Sequence, residues 1–266
     1  MVELKNVSLL RNGTVILNDL SMRVEAGQCC AVIGPNGSGK STLLAVLAGY
    51  AWPTTGTVHV AGFEFGRVDL SAVRRKIGLI EPSRMPRFNE RMTVRDMVAT
   101  GLFGTVALPL SIRPEQQQWQ RVHAAIAETG LGGRENDRFA ILSTGERMKV
   151  LIARAIVAGP SILMLDEPTV GLDMGSRAAF MNSLDRLAGR SDRPTVLIVS
   201  HHLDELPRNV DRVLLMKGGS IFDCGPPQHV LTSDKLSDLF NCRVHVFQRD
   251  GTFAAVAAKD GDSVAC

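Results

Sequence analysis

The run Gly34-Pro35-Asn36-Gly37-Ser38-Gly39-Lys40-Ser41-Thr42 concentrates chemistry in a few residues of this 266-residue chain. Its glycines permit a backbone path that turns successive N–H groups inward, where phosphate oxygens can accept from them. Cys30-Ala31-Val32-Ile33 before it reads as a buried strand, and Leu43-Leu44-Ala45-Val46-Leu47 after it reads as a helix. That is the strand–loop–helix context a phosphate-binding loop requires, with the positive end of the helix aimed at the anion. Lys40 is spaced to reach the β- and γ-phosphates of a nucleotide, and Ser41 to ligate Mg²⁺. A plain glycine-rich turn would need neither residue at those offsets.

Three further clusters gain meaning beside that loop. Asp166-Glu167 ends the apolar run Ile162-Leu163-Met164-Leu165, and so is expected at the carboxyl edge of a parallel sheet, where α/β folds bind ligands. Asp166 would hold the metal through its water shell, and Glu167 would orient or deprotonate an attacking water. Ser200-His201-His202 ends another apolar run, Val196 to Val199, and is expected at the same edge. His201 could then sense a γ-phosphate, while His202 is expected to cap a helix starting near Leu203. Leu142-Ser143-Thr144-Gly145-Glu146 precedes a helical pattern and would make a second anion site at a helix start, or a plain helix cap.

These groups need a scaffold to bring them together. Short apolar runs without alternation, at Cys30–Ile33, Ile77–Ile80, Ile162–Leu165 and Val196–Val199, imply strands buried on both faces of a parallel sheet. The alternating segment from Val2 to Leu9, Asn12-Gly13 and Val15-Ile16-Leu17 implies an antiparallel hairpin before them. A helical block from about Thr93 to Gly159 interrupts the α/β order. Thr93 to Asp96 resembles a capping box, Pro114 suits a first helical turn, and Gly159-Pro160 stops a helix running from about Glu146. Asp250-Gly251 marks a second hairpin near the C-terminus.

Composition narrows the function classes. Thirty basic and 27 acidic residues leave a charge of +3, which by itself says nothing about nucleic acid, and no nucleic-acid partner is expected. No apolar stretch reaches the roughly 18 residues of a membrane span, and Met-Val-Glu-Leu-Lys-Asn has no signal-peptide core. A soluble, intracellular chain is expected. Five cysteines without a CxxC pair imply reduced thiols rather than a disulfide or metal framework.

The order of these motifs resembles that of the ATP-binding cassette (ABC) ATPases, over about Val2 to Phe240. The phosphate loop matches outright. Leu142 to Glu146 looks like the family signature, Ile162 to Pro168 like the second Walker motif, and Gly171-Leu172-Asp173 like the D-loop. His201 stands at the switch-histidine position. The resemblance implies an α/β fold: a P-loop NTPase core with an N-terminal antiparallel β subdomain and an inserted helical subdomain, about 93–159. Residues 1–240 would form the nucleotide-binding domain and 241–266 a C-terminal hairpin and tail. It also implies a homodimer or heterodimer of such domains, head to tail. Each ATP would lie between one subunit's Lys40 and the other's Ser143, Thr144, Gly145 and Glu146, with Asp173 in the D-loop and Mg²⁺ as cofactor. A separate transmembrane permease would tie this ATPase to the inner face of the cell membrane.

The chain departs from the family pattern in places. No glutamine occurs between Ile77 and Arg95, although the Q-loop glutamine should fall near Pro82, which leaves Glu81 or Ser83 as donors there. Thr144 and Glu146 replace the usual glycine and glutamine of the signature. Arg11 stands where an aromatic ring usually stacks on adenine, and its planar guanidinium could stack likewise. Val230 to Leu236 resembles ATPase subunits of bacterial metal-chelate and molybdate-type importers. The stretch from Arg84 to Ile112 could be a docking surface, or a solvated loop followed by a core helix. The second reading of function is a soluble regulatory ABC ATPase. A P-loop GTPase or kinase lacks its Asn-Lys-x-Asp and Asp-x-x-Gly.

Overall fold

The computed structural model describes residues 1–82, 91–108, 114–190 and 192–258. Two sheets form its frame. Strands β1 (Val2–Arg11), β2 (Thr14–Val24), β4 (Thr55–Val60) and β5 (Phe63–Glu64) make an antiparallel sheet in the order β2-β1-β4-β5. The β1–β2 turn is the expected two-residue hairpin, with Asn12 at φ 52° and Gly13 at φ 78°, the left-handed pair that matches strand twist.

The second sheet has the order β10-β9-β3-β8-β7-β6, built from β3 (Cys29–Ile33), β6 (Ile77–Ile80), β7 (Ile162–Asp166), β8 (Thr195–Ser200), β9 (Arg212–Lys217) and β10 (Ser220–Gly225). All its pairings are parallel except that of β10 with β9. The four apolar runs are β3, β8, β7 and the edge strand β6, and their lack of alternation has a direct cause. Cys29, Ala31 and Ile33 of β3 enter one core cluster while Cys30 and Val32 enter another on the opposite face. Strands β7 and β8 divide likewise, Leu163, Leu165, Val196 and Ile198 to one face and Met164, Leu197 and Val199 to the other. Side chains alternate as any strand's do, but both faces are covered.

Helix α1 (Lys40–Leu47) fills the space between the two sheets with Leu43, Leu44, Val46 and Leu47. On the far face, α5 (Thr144–Ile156), α6 (Met174–Ala188) and α8 (Ser233–Phe240) cover the parallel sheet. The short helices α2 (Leu70–Arg74) and α7 (Pro227–Val230) complete the core. The inserted helices α3 (Val94–Phe103) and α4 (Gln116–Glu128) pack with one side of α5 around Met97, Val98, Val122, Ile126 and Val150. Thr93 caps α3 by accepting from the Asp96 N–H at 3.3 Å, and Glu115 opens α4 with a capping box. The part of the Arg84–Ile112 stretch in α3 is therefore core helix; Ser83 to Glu90 and Pro109 to Arg113 lie outside the described residues.

The structure corrects one element and adds others. No helix starts at Leu203: Leu203–Glu205 is a single 3₁₀ turn, and the His202 side chain does not cap it. Strand β9 was not evident from the sequence, because its Val213-Leu214-Leu215-Met216 run is mostly Leu and Met, which read equally as helix. Strands β11 (Val244–Arg249) and β12 (Thr252–Ala257) form the second hairpin, and Val244 and Phe253 join the main core beneath it. No helix among the described residues is long and apolar enough to cross a membrane. The described cysteines are unbridged, and burial pushes the Cys29 thiol up to about 12, so it packs as a small hydrophobe.

Phe180 of α6 is fully buried against the parallel sheet. Phe180→Ala is expected to lower the free energy of unfolding by about 3–5 kcal/mol through lost transfer energy and a residual cavity. A denaturant midpoint that falls with an unchanged slope would register it.

Candidate nucleotide site

Sheet register gathers the first set of groups. Ile33 pairs with Ser200 and Asp166 with Val199, so β3, β8 and β7 end side by side. The loops that follow carry Gly34 to Gly39, Glu167 and His201 onto one edge, with Lys40 beginning α1 just behind. Gly39 lies at φ 98° as the residue before α1, and a Cβ there would also come within 2.9 Å of Leu17 Cδ2. Only glycine fits that path. Among the described residues no side chain caps α1, which leaves its first N–H groups uncapped where the loop enters the helix.

Lys40 is almost completely buried, and its Nζ donates to the Gly34 carbonyl at 2.7 Å and the Pro35 carbonyl at 3.0 Å. Burial lowers its pKa, against the opposing charges of Glu167 and Asp166. An ammonium held inside a loop of backbone donors is suited to a polyanion. The Ser38 hydroxyl supports the same reading: it is buried within the loop and has no hydrogen-bond partner among the described residues. Pro35, Asn36, Gly37 and Thr42 complete the loop and the first turn. Arg11 closes the β1–β2 hairpin opposite Thr14, and that hairpin abuts the loop where Ile16 and Leu17 meet Gly39.

Glu167 has φ 47°, a left-handed backbone that a non-glycine residue adopts at a cost of about 1–3 kcal/mol. The Glu167 N–H donates to the Val199 carbonyl at 2.9 Å and so fastens the kink to β8. Its carboxylate Oε1 lies 3.0 Å from His201 Nδ1, with both side chains about one-third exposed. The sequence placed both residues at this edge, but the direct pairing emerges only in three dimensions. A network fixes the His201 turn from behind. Ser200 Oγ donates to Glu205, Ser200 Oγ accepts from the His202 N–H at 2.9 Å, and Arg177 of α6 pairs with Glu205 at 3.3 Å.

A cavity of about 490 Å³ opens beside the loop, lined in part by Ser41, Tyr50, Glu81, Val106, Arg154 and Asp166. Ser41 and Asp166 offer a hydroxyl and a carboxylate, the hard oxygen donors that suit Mg²⁺ bound together with substrate phosphates. Glu81 shares that cavity, one residue before Pro82, whereas Ser83 lies outside the described residues.

The signature residues lie elsewhere. Ser143 caps α5 in a capping box: Glu146 N–H donates to Ser143 Oγ at 3.3 Å, and Ser143 N–H and Oγ–H both donate to Glu146 Oε2 at 2.9 Å. The Ser143 N–H holds the Glu146 carboxyl below the usual carboxylate range. Thr144 starts the helix, and Gly145 packs so closely on α6 that a Cβ would come within 2.6 Å of Ser176. Asp173 caps α6 by accepting from Ser176 N–H at 2.8 Å and Oγ–H at 2.9 Å, contacts that lower its pKa. The signature and the D-loop thus share one face through Gly145 and Ser176. Among the described residues, no hydrogen bond or ion pair joins them to Gly34–Thr42 of the same chain.

The described family that matches residues 17–170 is "ABC transporter". A Bacillus subtilis protein, described as the uncharacterized ABC transporter ATP-binding protein YlmA, is 34% identical over 92% of this chain and 93% of its own length. The cobalamin import ATP-binding protein BtuD of Halobacterium salinarum is 35% identical over 88% of this chain and 57% of its own length. A solved structure described as an inward-facing metal-chelate type ABC transporter superposes with a TM-score of 0.79 at 25% identity, covering 97% of each chain.

Glu167→Gln is expected to preserve ATP affinity and to lower turnover by about 10²–10⁴-fold, the range for loss of a general base. Equilibrium ATP binding and steady-state phosphate release together check this; turnover at the wild-type rate would remove Glu167 from the reaction.

Proposed function

Since the chain belongs to the ABC transporter family and is one of its ATPases, we propose that two such domains close head to tail on ATP and drive a separate membrane-spanning permease. One observation carries this reading. The chain has two helix starts suited to anions, at Lys40 and at Ser143, and its own fold puts α1 and α5 on opposite faces of the parallel sheet. Two copies related by a two-fold axis would complete two composite sites at once. Ile141, Val170 and Met174 are exposed apolar side chains beside the signature and the D-loop, which suits a face that is covered when the copies meet.

In this reading the loop N–H groups and Lys40 bind the triphosphate, and Ser143 and Gly145 of the second copy approach its γ-phosphate. Mg²⁺ would be held by Ser41 and Asp166, where it neutralises phosphate charge. Glu167 sits where it can accept a proton from an attacking water, and His201 fixes the carboxylate's orientation through the 3.0 Å contact. Arg11 stacks on the base from the hairpin tip. The permease would hold the domain at the inner face of the cell membrane. The cargo class we assign is a metal chelate transported inward, on the strength of the metal-chelate type structure and the cobalamin import relative.

Ser143→Arg tests the composite site. In a Glu167→Gln background it is expected to leave ATP binding to the protomer intact and to abolish ATP-driven dimers in sedimentation or size-exclusion measurements. Undisturbed dimers would reduce Leu142–Glu146 to a helix cap.

A further inference from the structure

Ser143 has one hydroxyl proton, and in this structure it is donated to Glu146 Oε2 at 2.9 Å. The same hydroxyl is the group that the composite-site reading offers to a γ-phosphate oxygen. Glu146 is also a full negative charge within hydrogen-bond distance of a site meant for a polyanion. Both facts oppose ATP-driven closure unless the carboxylate is neutralised. Its second oxygen, Oε1, is paired with Arg134.

Arg134 stands in the turn before the signature, and its Nε also pairs with Asp137 Oδ2 at 2.7 Å. The loop that carries it is anchored to the start of α3, where Val94 N–H donates to Asp137 O and Arg95 N–H to Glu135 O, both at 2.9 Å. The guanidinium is therefore held between two carboxylates by a fixed backbone. Arg147, on the other side of the signature, reaches back over it, with Nε donating to Leu142 O at 3.1 Å and a terminal nitrogen to Ala140 O at 2.7 Å.

We propose that Arg134 is a positioning residue of the composite site: by neutralising Glu146 it frees the Ser143 hydroxyl for the γ-phosphate of the opposing copy. The proposal rests on the composite-site reading above. Arg134 and Ser143 compete for the electron density of one carboxylate, so a firm Arg134 contact weakens the claim of Glu146 on the serine proton. Without Arg134, the Glu146 carboxylate beside Ser143 would meet the incoming phosphate with its charge uncompensated. Glutamine at 146 would keep the capping box, since its amide oxygen still accepts from Ser143 N–H, but would carry no charge.

The test uses the full chain in the Glu167→Gln background with Mg²⁺ and ATP, and measures dimer dissociation constants by sedimentation at low and high salt. Arg134→Gln is expected to weaken the dimer about tenfold at low salt and less at high salt, because screening shortens the reach of the exposed charges. Arg134→Lys, which keeps the cation but not the fork that reaches both carboxylates, is expected to weaken the dimer less than Arg134→Gln does. Adding Glu146→Gln to Arg134→Gln is expected to restore the dimer to within about threefold, since it removes the charge that Arg134 had balanced. A merely structural tether would behave otherwise, for the double variant breaks the same bridge and would stay weak. Persistent weakness of the double variant, or an Arg134→Gln dimer as tight as the parent, would overturn the proposal. Ser143→Arg runs beside them: if it dimerises undisturbed, the composite-site reading itself fails, whereas blocked dimers with a silent Arg134 reject the Arg134 role alone.

Discussion

The parallel pairing of β3 with β8 and of β8 with β7 puts Ile33 opposite Ser200 and Val199 opposite Asp166. Three strands therefore stop at one level, and the chain must turn at that level three times. One turn is the phosphate loop, the second is the kinked Glu167, and the third is the His201 turn. A slip of one residue in either pairing would exchange the two buried faces of a strand and withdraw its loop from the edge. The apolar clusters on both faces of the sheet hold that register, so the core and the site are set by the same contacts.

What this register does not do is equally informative. It leaves the signature on α5, whose N-terminus is tied instead to α6 through Gly145 and Ser176. The small residue at 145 has a physical reason within one chain, apart from any approach of a nucleotide. Asp173 is likewise engaged in capping α6. These intramolecular contacts make the signature and the D-loop one surface, so that a second copy would meet both together.

Legibility in the sequence followed how local each feature is. The phosphate loop is contiguous, and its glycines, lysine and serine declare it without any fold. Strands β3, β6, β7 and β8 were legible because burial on both faces removes alternation, and Asn12-Gly13 and Asp250-Gly251 announced their hairpins by turn chemistry. Strand β9 was not legible, since Val213 to Met216 lacks a strand-specific composition. The expected helix at Leu203 is a 3₁₀ turn because Glu205 bends back to Ser200 and Arg177, contacts that no periodicity records. Nor could spacing reveal that Glu167 meets His201 34 residues away, or that Arg134 meets Glu146. Those pairings depend on how separate elements dock.

The central claim is that each complete site takes Lys40 from one copy and Ser143 from the other. Mixing two defective proteins tests it most directly, both in the Glu167→Gln background. A Lys40→Ala protein and a Ser143→Arg protein should each fail to form ATP-driven dimers alone. Mixed, they can pair so that one site combines an intact Lys40 with an intact Ser143. The account predicts a heterodimer in the mixture that retains one ATP per pair. A mixture that stays monomeric, as each protein does alone, would contradict it.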